Sequence, residues 1–139
     1  ICHKPLVATA ATQEDLAQRV RDVRARLAFY LSTPSYRAAV EYHGLGDLAR
    51  KLSQLARVGA WEEMPGHVSD QVLDLFAVIG THAEIAGKLG QRFNGVVTSC
   101  EFSIAVNDAR DQATLAAIVA ELHADDGAAV RQRLRDRVA

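Results

Sequence analysis

Tyr30, Ser32, Thr33 and Tyr36 bring phenolic and aliphatic hydroxyls and two aromatic rings to one short stretch around Pro34. Such a set suits the wall of a pocket for a flat ring or a polar substrate, because apolar faces and a few polar atoms together fix orientation. The same residues also fit a purely structural role, in which Ser32 and Pro34 punctuate two helices and the tyrosines pack as core. His43, just before Gly44, has the ordinary pKa range for a general acid or base near neutrality. Equally, a histidine at a helix end can bond the last carbonyls or favour the negative end of the helix dipole. His3, His67, His82 and His123 have no metal-ligand spacing with carboxylates, so no metal site is expected. No GxGxxG, GxxxxGK[ST] or GxSxG motif occurs, which removes the usual entry points to dinucleotide, nucleoside-triphosphate and hydrolase chemistry.

The elements that must position these residues follow from local signals. Leu6-Val7-Ala8-Thr9 reads as a brief buried strand after Pro5. Thr12 and Asp15 form a capping box that starts a helix at about Gln13. Leu16, Val20, Val23, Leu27 and Tyr30 make its apolar face. Pro34 drives Thr33 out of the helical region and can open a second helix ending near Gly44. Asp47 is the expected cap of a third helix, with Leu48, Leu52, Leu55 and Val58 as its stripe and Gly59 as its stop. Trp61 to Met64 reads as a helical turn broken by Pro65-Gly66, and Trp61 with Met64 as a packing plug. Ser69 or Asp70 caps the next helix, and Phe76-Ala77-Val78-Ile79 fits either a helix end or a strand, terminated by Gly80. Thr81 with Glu84 repeats the capping box for a helix running to about Asn94-Gly95. From Val96 to Ala105 apolar and polar residues alternate, the period of a strand, with Glu101 on its polar face. Leu115, Ile118, Val119 and Leu122 predict a closing helix after Asn107-Asp108, and Ala128 to Val138 a charged last one.

The 139 residues are 49 % hydrophobic and 24 % charged, the balance of a globular domain with one core. Sixteen Lys plus Arg against seventeen Asp plus Glu leave a net charge of −1, so no global field draws the chain to nucleic acid or an anionic membrane. The basic run Arg131, Arg133, Arg135 and Arg137, interleaved with Asp136, reads as a solvated helix face. Cys2 and Cys100 lack CxxC spacing and read as reduced thiols. No apolar run approaches the roughly 18 residues of a membrane span, and no signal peptide opens the chain, so a cytoplasmic location is expected. The chain opens at Ile1 directly into a strand-like segment, as a piece cut from a longer protein would, and as a chosen expression boundary would too.

Four segments carry a family resemblance in order and spacing: Leu27 to Tyr36, Glu41-Tyr42-His43-Gly44, Arg57 to Met64, and Phe76-Ala77-Val78-Ile79-Gly80-Thr81. Together they resemble the C-terminal region of luciferase-like oxidoreductases of the deazaflavin-dependent type common in actinobacteria. The resemblance runs from about Pro5 to Phe102. It implies an α/β fold, the C-terminal part of a (β/α)8 TIM barrel, mostly helical with about two strands. Leu6 to Thr9 would be the seventh strand, about 32–80 a helical insertion, and Val96 to Phe102 the eighth strand. A whole barrel needs about 200 residues or more, so the first six strands would lie outside residues 1–139, which form a single partial domain. The implied parent is an oxidoreductase or monooxygenase. It would use reduced coenzyme F-420 (8-hydroxy-5-deazaflavin) or FMN on a small organic substrate, with Tyr30, Ser32, Thr33, Tyr36 and His43 on the substrate side. Most phosphate-binding and catalytic residues would lie in the other strands, so this chain alone is expected to be inactive and to bind no cofactor tightly. A homodimer, or the N-terminal half, would complete it. Leu45, Thr98, Ser99 and Glu101 depart from the residues usual in the family. The alternative is a non-catalytic helical remnant that keeps the family's packing and associates with itself.

Overall fold

The computed structural model describes residues 1–124, and the expected charged helix with Arg131 to Arg137 lies outside the described residues. Two strands open the chain, β1 (Cys2–His3) and β2 (Leu6–Ala10). Then follow α1 (Gln13–Ser32), a 3₁₀ turn at Pro34–Tyr36, α2 (Arg37–Tyr42) and α3 (Gly46–Arg57). A second 3₁₀ turn (Met64–His67) leads to α4 (Asp70–Phe76), β3 (Ala77–Thr81), α5 (Ile85–Phe93), β4 (Ser99–Cys100) and α6 (Ala109–Ala124). The architecture is mixed α/β and mostly helical. Among the described residues β2 pairs with β3, and β1 pairs in parallel with β4, setting Cys2 beside Ser99 and His3 beside Cys100.

The described residues divide into two compact units, Ile1–Leu16 with those from Val78 onward, and Ala17–Ala77. In the first unit the core is Val78, Ile85, Ala86, Leu89 and Ile118, with Val7, Phe93, Phe102 and Leu122 packed against it. Ile85 and Leu89 are one turn apart on α5, and Ile118 with Leu122 form the matching stripe on α6, so each helix covers the other's apolar face. The Thr81–Glu84 pair, expected to start a helix, closes the turn that precedes α5, which begins at Ile85. The Glu84 carboxylate accepts from the Thr81 backbone N–H and hydroxyl, both at 2.8 Å. These bonds, and the nearby Lys88 ammonium, hold the Glu84 carboxyl below its ordinary value. At α6, Asp108 accepts from the Asp111 N–H at 2.8 Å, and Asp111 accepts from the Asn107 N–H at 2.9 Å.

The second unit is built by helices alone. Val23, Leu27, Ala28 and Leu31 of α1 are buried, as are Val40, Ala49, Leu52, Met64, Val72 and Leu73. Thr12 caps α1 as expected, accepting from the Asp15 N–H at 3.1 Å. Of the two candidate caps for α4, Ser69 is the one used, accepting from the Val72 N–H at 3.2 Å. Arg24 reaches from α1 to the Val68 carbonyl and the Asp70 carboxylate, tying the long helix to the start of α4.

Several expectations are corrected. The alternating stretch Val96 to Ala105 forms a strand only at Ser99–Cys100, because its one partner among the described residues, β1, is two residues long. Glu101, on the polar face of that stretch, pairs with Lys4 at 2.5 Å. Ala77–Thr81 is a full strand that continues through Gly80, so the described residues hold four short strands where about two were expected. Asp47 is not a cap: Leu45 precedes α3, and Asp47 pairs with Arg50 inside its first turn. Pro65-Gly66 sits within a 3₁₀ turn instead of ending one. Gly59 does stop α3, with φ of 76°, but Val58 before it is 77 % exposed while Leu52 is fully buried.

That last difference yields a test within one helix. Leu52→Ala should cost about 2–5 kcal/mol by leaving a cavity, and Val58→Ala no more than about 0.5 kcal/mol, both read from urea unfolding. A second test concerns acid. Because the folded Glu84 pKa is lowered, the native state binds fewer protons, so its contribution is present above the ordinary value of 4.5 and is lost as pH falls through the folded value. Glu84→Gln should flatten the decline of the thermal midpoint below pH 4.5. Asp111, lowered for the same kind of reason, should leave a residual slope.

Candidate functional site at the end of the long helix

Pro34 has no N–H to continue α1, and it holds Thr33 in extended backbone at φ −84°, ψ 125°. The chain then turns sharply: the Tyr36 N–H bonds the Thr33 carbonyl at 3.1 Å, and the Thr33 N–H bonds the Tyr30 carbonyl at 3.0 Å. This reversal brings Tyr30 and Tyr36 into ring contact, with centroids 5.6 Å apart and planes at 59°. Phe29 lies 5.9 Å from Tyr30 and 6.2 Å from Trp61. The result is a continuous aromatic row, Trp61, Phe29, Tyr30 and Tyr36. Phe29, Trp61 and Tyr36 are each about half exposed.

Ser32 and Thr33 have a definite structural task. Both hydroxyls donate to the Phe29 carbonyl, at 2.7 Å and 3.0 Å, taking over an acceptor left free at the end of α1. The Ser32 carbonyl in turn accepts from the Ser53 hydroxyl on α3 at 2.7 Å. Ser32 is buried, and its hydroxyl serves the helix end rather than an open surface.

His43 belongs to a separate contact. Its backbone N–H closes α2 on the Val40 carbonyl at 3.2 Å, and Gly44 follows in the left-handed region at φ 71°. The imidazole stands edge-on to Phe76 at 5.3 Å and to Tyr42 at 5.5 Å. Of the five residues singled out in the sequence, Tyr30 and Tyr36 therefore meet directly and Ser32 and Thr33 pin the helix end beneath them, while His43 packs against other rings.

Two members of the aromatic row escape sequence reasoning. Phe29 falls off the apolar stripe of α1, and its place directly before Tyr30 was the available signal. Trp61 is not a packing plug; Met64 alone fills that part of the core, at 2 % exposure. Chemically, the row offers flat apolar faces edged by two phenolic hydroxyls, suited to stacking and hydrogen bonding rather than to bond-making. Among the described residues no group of three or more His, Cys, Asp or Glu could hold a metal ion, and no helix is long and apolar enough to cross a membrane.

Comparison with known proteins agrees with the segments that carry the resemblance. A family model described as luciferase-like monooxygenase matches residues 1–99. Uncharacterized proteins of Mycobacterium bovis and of two strains of Mycobacterium tuberculosis are 46 % identical to this chain over 92 residues. That stretch is 66 % of this chain and only 27 % of each relative's length. No solved structure matches. The chain belongs to the luciferase-like monooxygenase family.

Proposed function

We propose that residues 1–139 act as the C-terminal, substrate-side portion of a luciferase-like oxidoreductase. Its complete form would be a (β/α)8 barrel using reduced coenzyme F-420 or FMN on a small organic substrate in the cytoplasm. The observation that carries the reading is the family match over residues 1–99, in a chain that spans 27 % of the length of its relatives. In this proposal β2 and the segment around β4 are the seventh and eighth strands, and residues at about 32–80 are the insertion. Tyr30 and Tyr36 orient substrate by stacking and by their hydroxyls, Ser32 and Thr33 hold the helix end that carries them, and His43 stands in its separate ring contact. The other strands come from the N-terminal part of the longer protein, or a second copy covers what they would cover.

When bound, such a cofactor supplies the hydride transfer or oxygen activation, and protein groups orient it. The described residues fit only a fraction of what it needs. The aromatic row fits a flat ring, and the Thr9 hydroxyl on β2, buried without a hydrogen-bond partner among the described residues, fits a polar atom placed against it. For a phosphate chain the glycines offer no close backbone cradle: a Cβ at Gly44, Gly59, Gly66 or Gly87 would meet nothing, and at Gly46 and Gly80 it would meet side chains only. No step of the reaction is therefore routed through this chain's side chains, whose part is to bind and orient.

A second reading is a non-catalytic helical remnant that keeps the family's packing. The Ser32 and Thr33 hydroxyls favour it, since both serve the Phe29 carbonyl. Fluorescence titration with FMN and with coenzyme F-420 separates the possibilities when the 139-residue chain and the complete reading frame are compared. The chain alone should bind no better than high micromolar, and the complete protein at least tenfold more tightly, a gap of about 1.4 kcal/mol. A tight stoichiometric complex with the chain alone would overturn the site assignment. Absence of binding by the complete protein would favour the remnant.

A further inference from the structure

The first unit contains a cavity of about 440 Å³ bounded by α5, the segment around β4, and α6. Its apolar wall is Leu89, Phe93, Phe102, Val119 and Leu122. Its polar side is Ser99, Cys100 and His123, with Thr98 beside them. The volume lies within the range of small-molecule sites, and an apolar wall faced by a few polar atoms is their usual composition.

Two features give this cavity a defined shape and polarity. The ladder of β1 with β4 sets Cys100 next to His3. It is continued by the Glu101 N–H donating to the His3 carbonyl at 2.8 Å and closed by the Lys4–Glu101 ion pair. On the facing wall the His3 ring packs on Phe93 at 4.9 Å, so the same strand that places the thiol also braces the aromatic side. The lining includes no Asp, Glu, Lys or Arg. Burial pushes the Cys100 thiol up, and the neighbouring Cys2 adds to the shift, so the thiol is neutral near pH 7. A ligand with a fixed charge would lose water here and meet no Asp, Glu, Lys or Arg.

We propose that this cavity binds a small neutral molecule with an apolar body and one hydrogen-bonding head, its body between Phe93, Phe102 and Leu122 and its head toward Ser99 and Cys100. The site uses no residue of the aromatic row, and it is lined in part by Ser99, Cys100 and Phe102 of the segment read above as the eighth strand. Among the described residues His123 is the one lining side chain able to carry positive charge, and an anionic control tests whether it draws an anion.

Both cysteines are exposed, and Cys2, on the adjacent strand and outside the lining, provides an internal reference. The probe is the neutral naphthalene dye prodan, with anilinonaphthalene sulfonate as the anionic control, and the readout is the rate of iodoacetamide alkylation at each cysteine followed by peptide mass spectrometry. With prodan at ten times its dissociation constant, alkylation of Cys100 should slow about tenfold while that of Cys2 is unchanged. The sulfonate should protect neither. Leu122→Glu should abolish the protection with the helical circular dichroism retained, and if that variant does not fold, the footprint on the wild-type chain decides alone. Unchanged rates at both cysteines, equal slowing of both, or protection by the sulfonate as strong as by prodan would each overturn the proposal.

Discussion

Every backbone N–H and C=O taken out of water needs a partner, and a strand in a two-stranded sheet has partners along one edge only. Among the described residues both sheets of this chain have two strands. The five residues of β2 and the five of β3 satisfy one another, while their outer edges are left to whatever lies beside them. Most of the order in residues 1–124 is accordingly supplied by helices. In the first unit α5 and α6 bury each other's stripes over Val78; in the second, α1 to α4 close a core of aliphatic side chains around Leu27, Leu52 and Leu73. Helices can do this because their backbone bonds are internal and only their ends and one face need help.

The same distinction explains how much of the fold could be read in the sequence. Helix starts are local events, so Thr12 before α1, Ser69 before α4 and Glu84 before α5 were legible from residue type and spacing. Strands are settled by distant partners. The run Val96 to Ala105 has a strand's alternation and still pairs only at Ser99–Cys100, because β1 offers two residues. Ala77–Thr81 has no alternation and is a strand because β2 lies beside it. Asp47 shows the limit of local signals: an acidic residue near a helix start can sit inside the first turn and pair with Arg50 instead of capping.

The aromatic row follows from the break at Pro34. Once the proline stops α1, a tight turn carries Tyr36 back to Tyr30, and that neighbourhood was readable from Tyr30-Leu31-Ser32-Thr33-Pro34-Ser35-Tyr36. The contacts of Trp61 with Phe29 and of His43 with Phe76 depend on how α1, α2 and α4 pack, which no short motif encodes. Membership of the luciferase-like monooxygenase family gives the row a context, and its flat apolar faces edged by two phenolic hydroxyls suit stacking and hydrogen bonding rather than bond-making.

Half-paired strands and half-exposed aromatic rings in one chain lead to a single expectation about its state in solution. Covering even part of such a surface is worth several kcal/mol, at about 20 to 30 cal/mol per Å², before the entropic cost of association. Light scattering on the purified 139-residue chain measures the outcome directly. The prediction is a mass that rises above 15.1 kDa with concentration, through a symmetric dimer. A soluble monomer of 15.1 kDa at every concentration would contradict it, and would mean that the sheets need nothing beyond what this chain supplies.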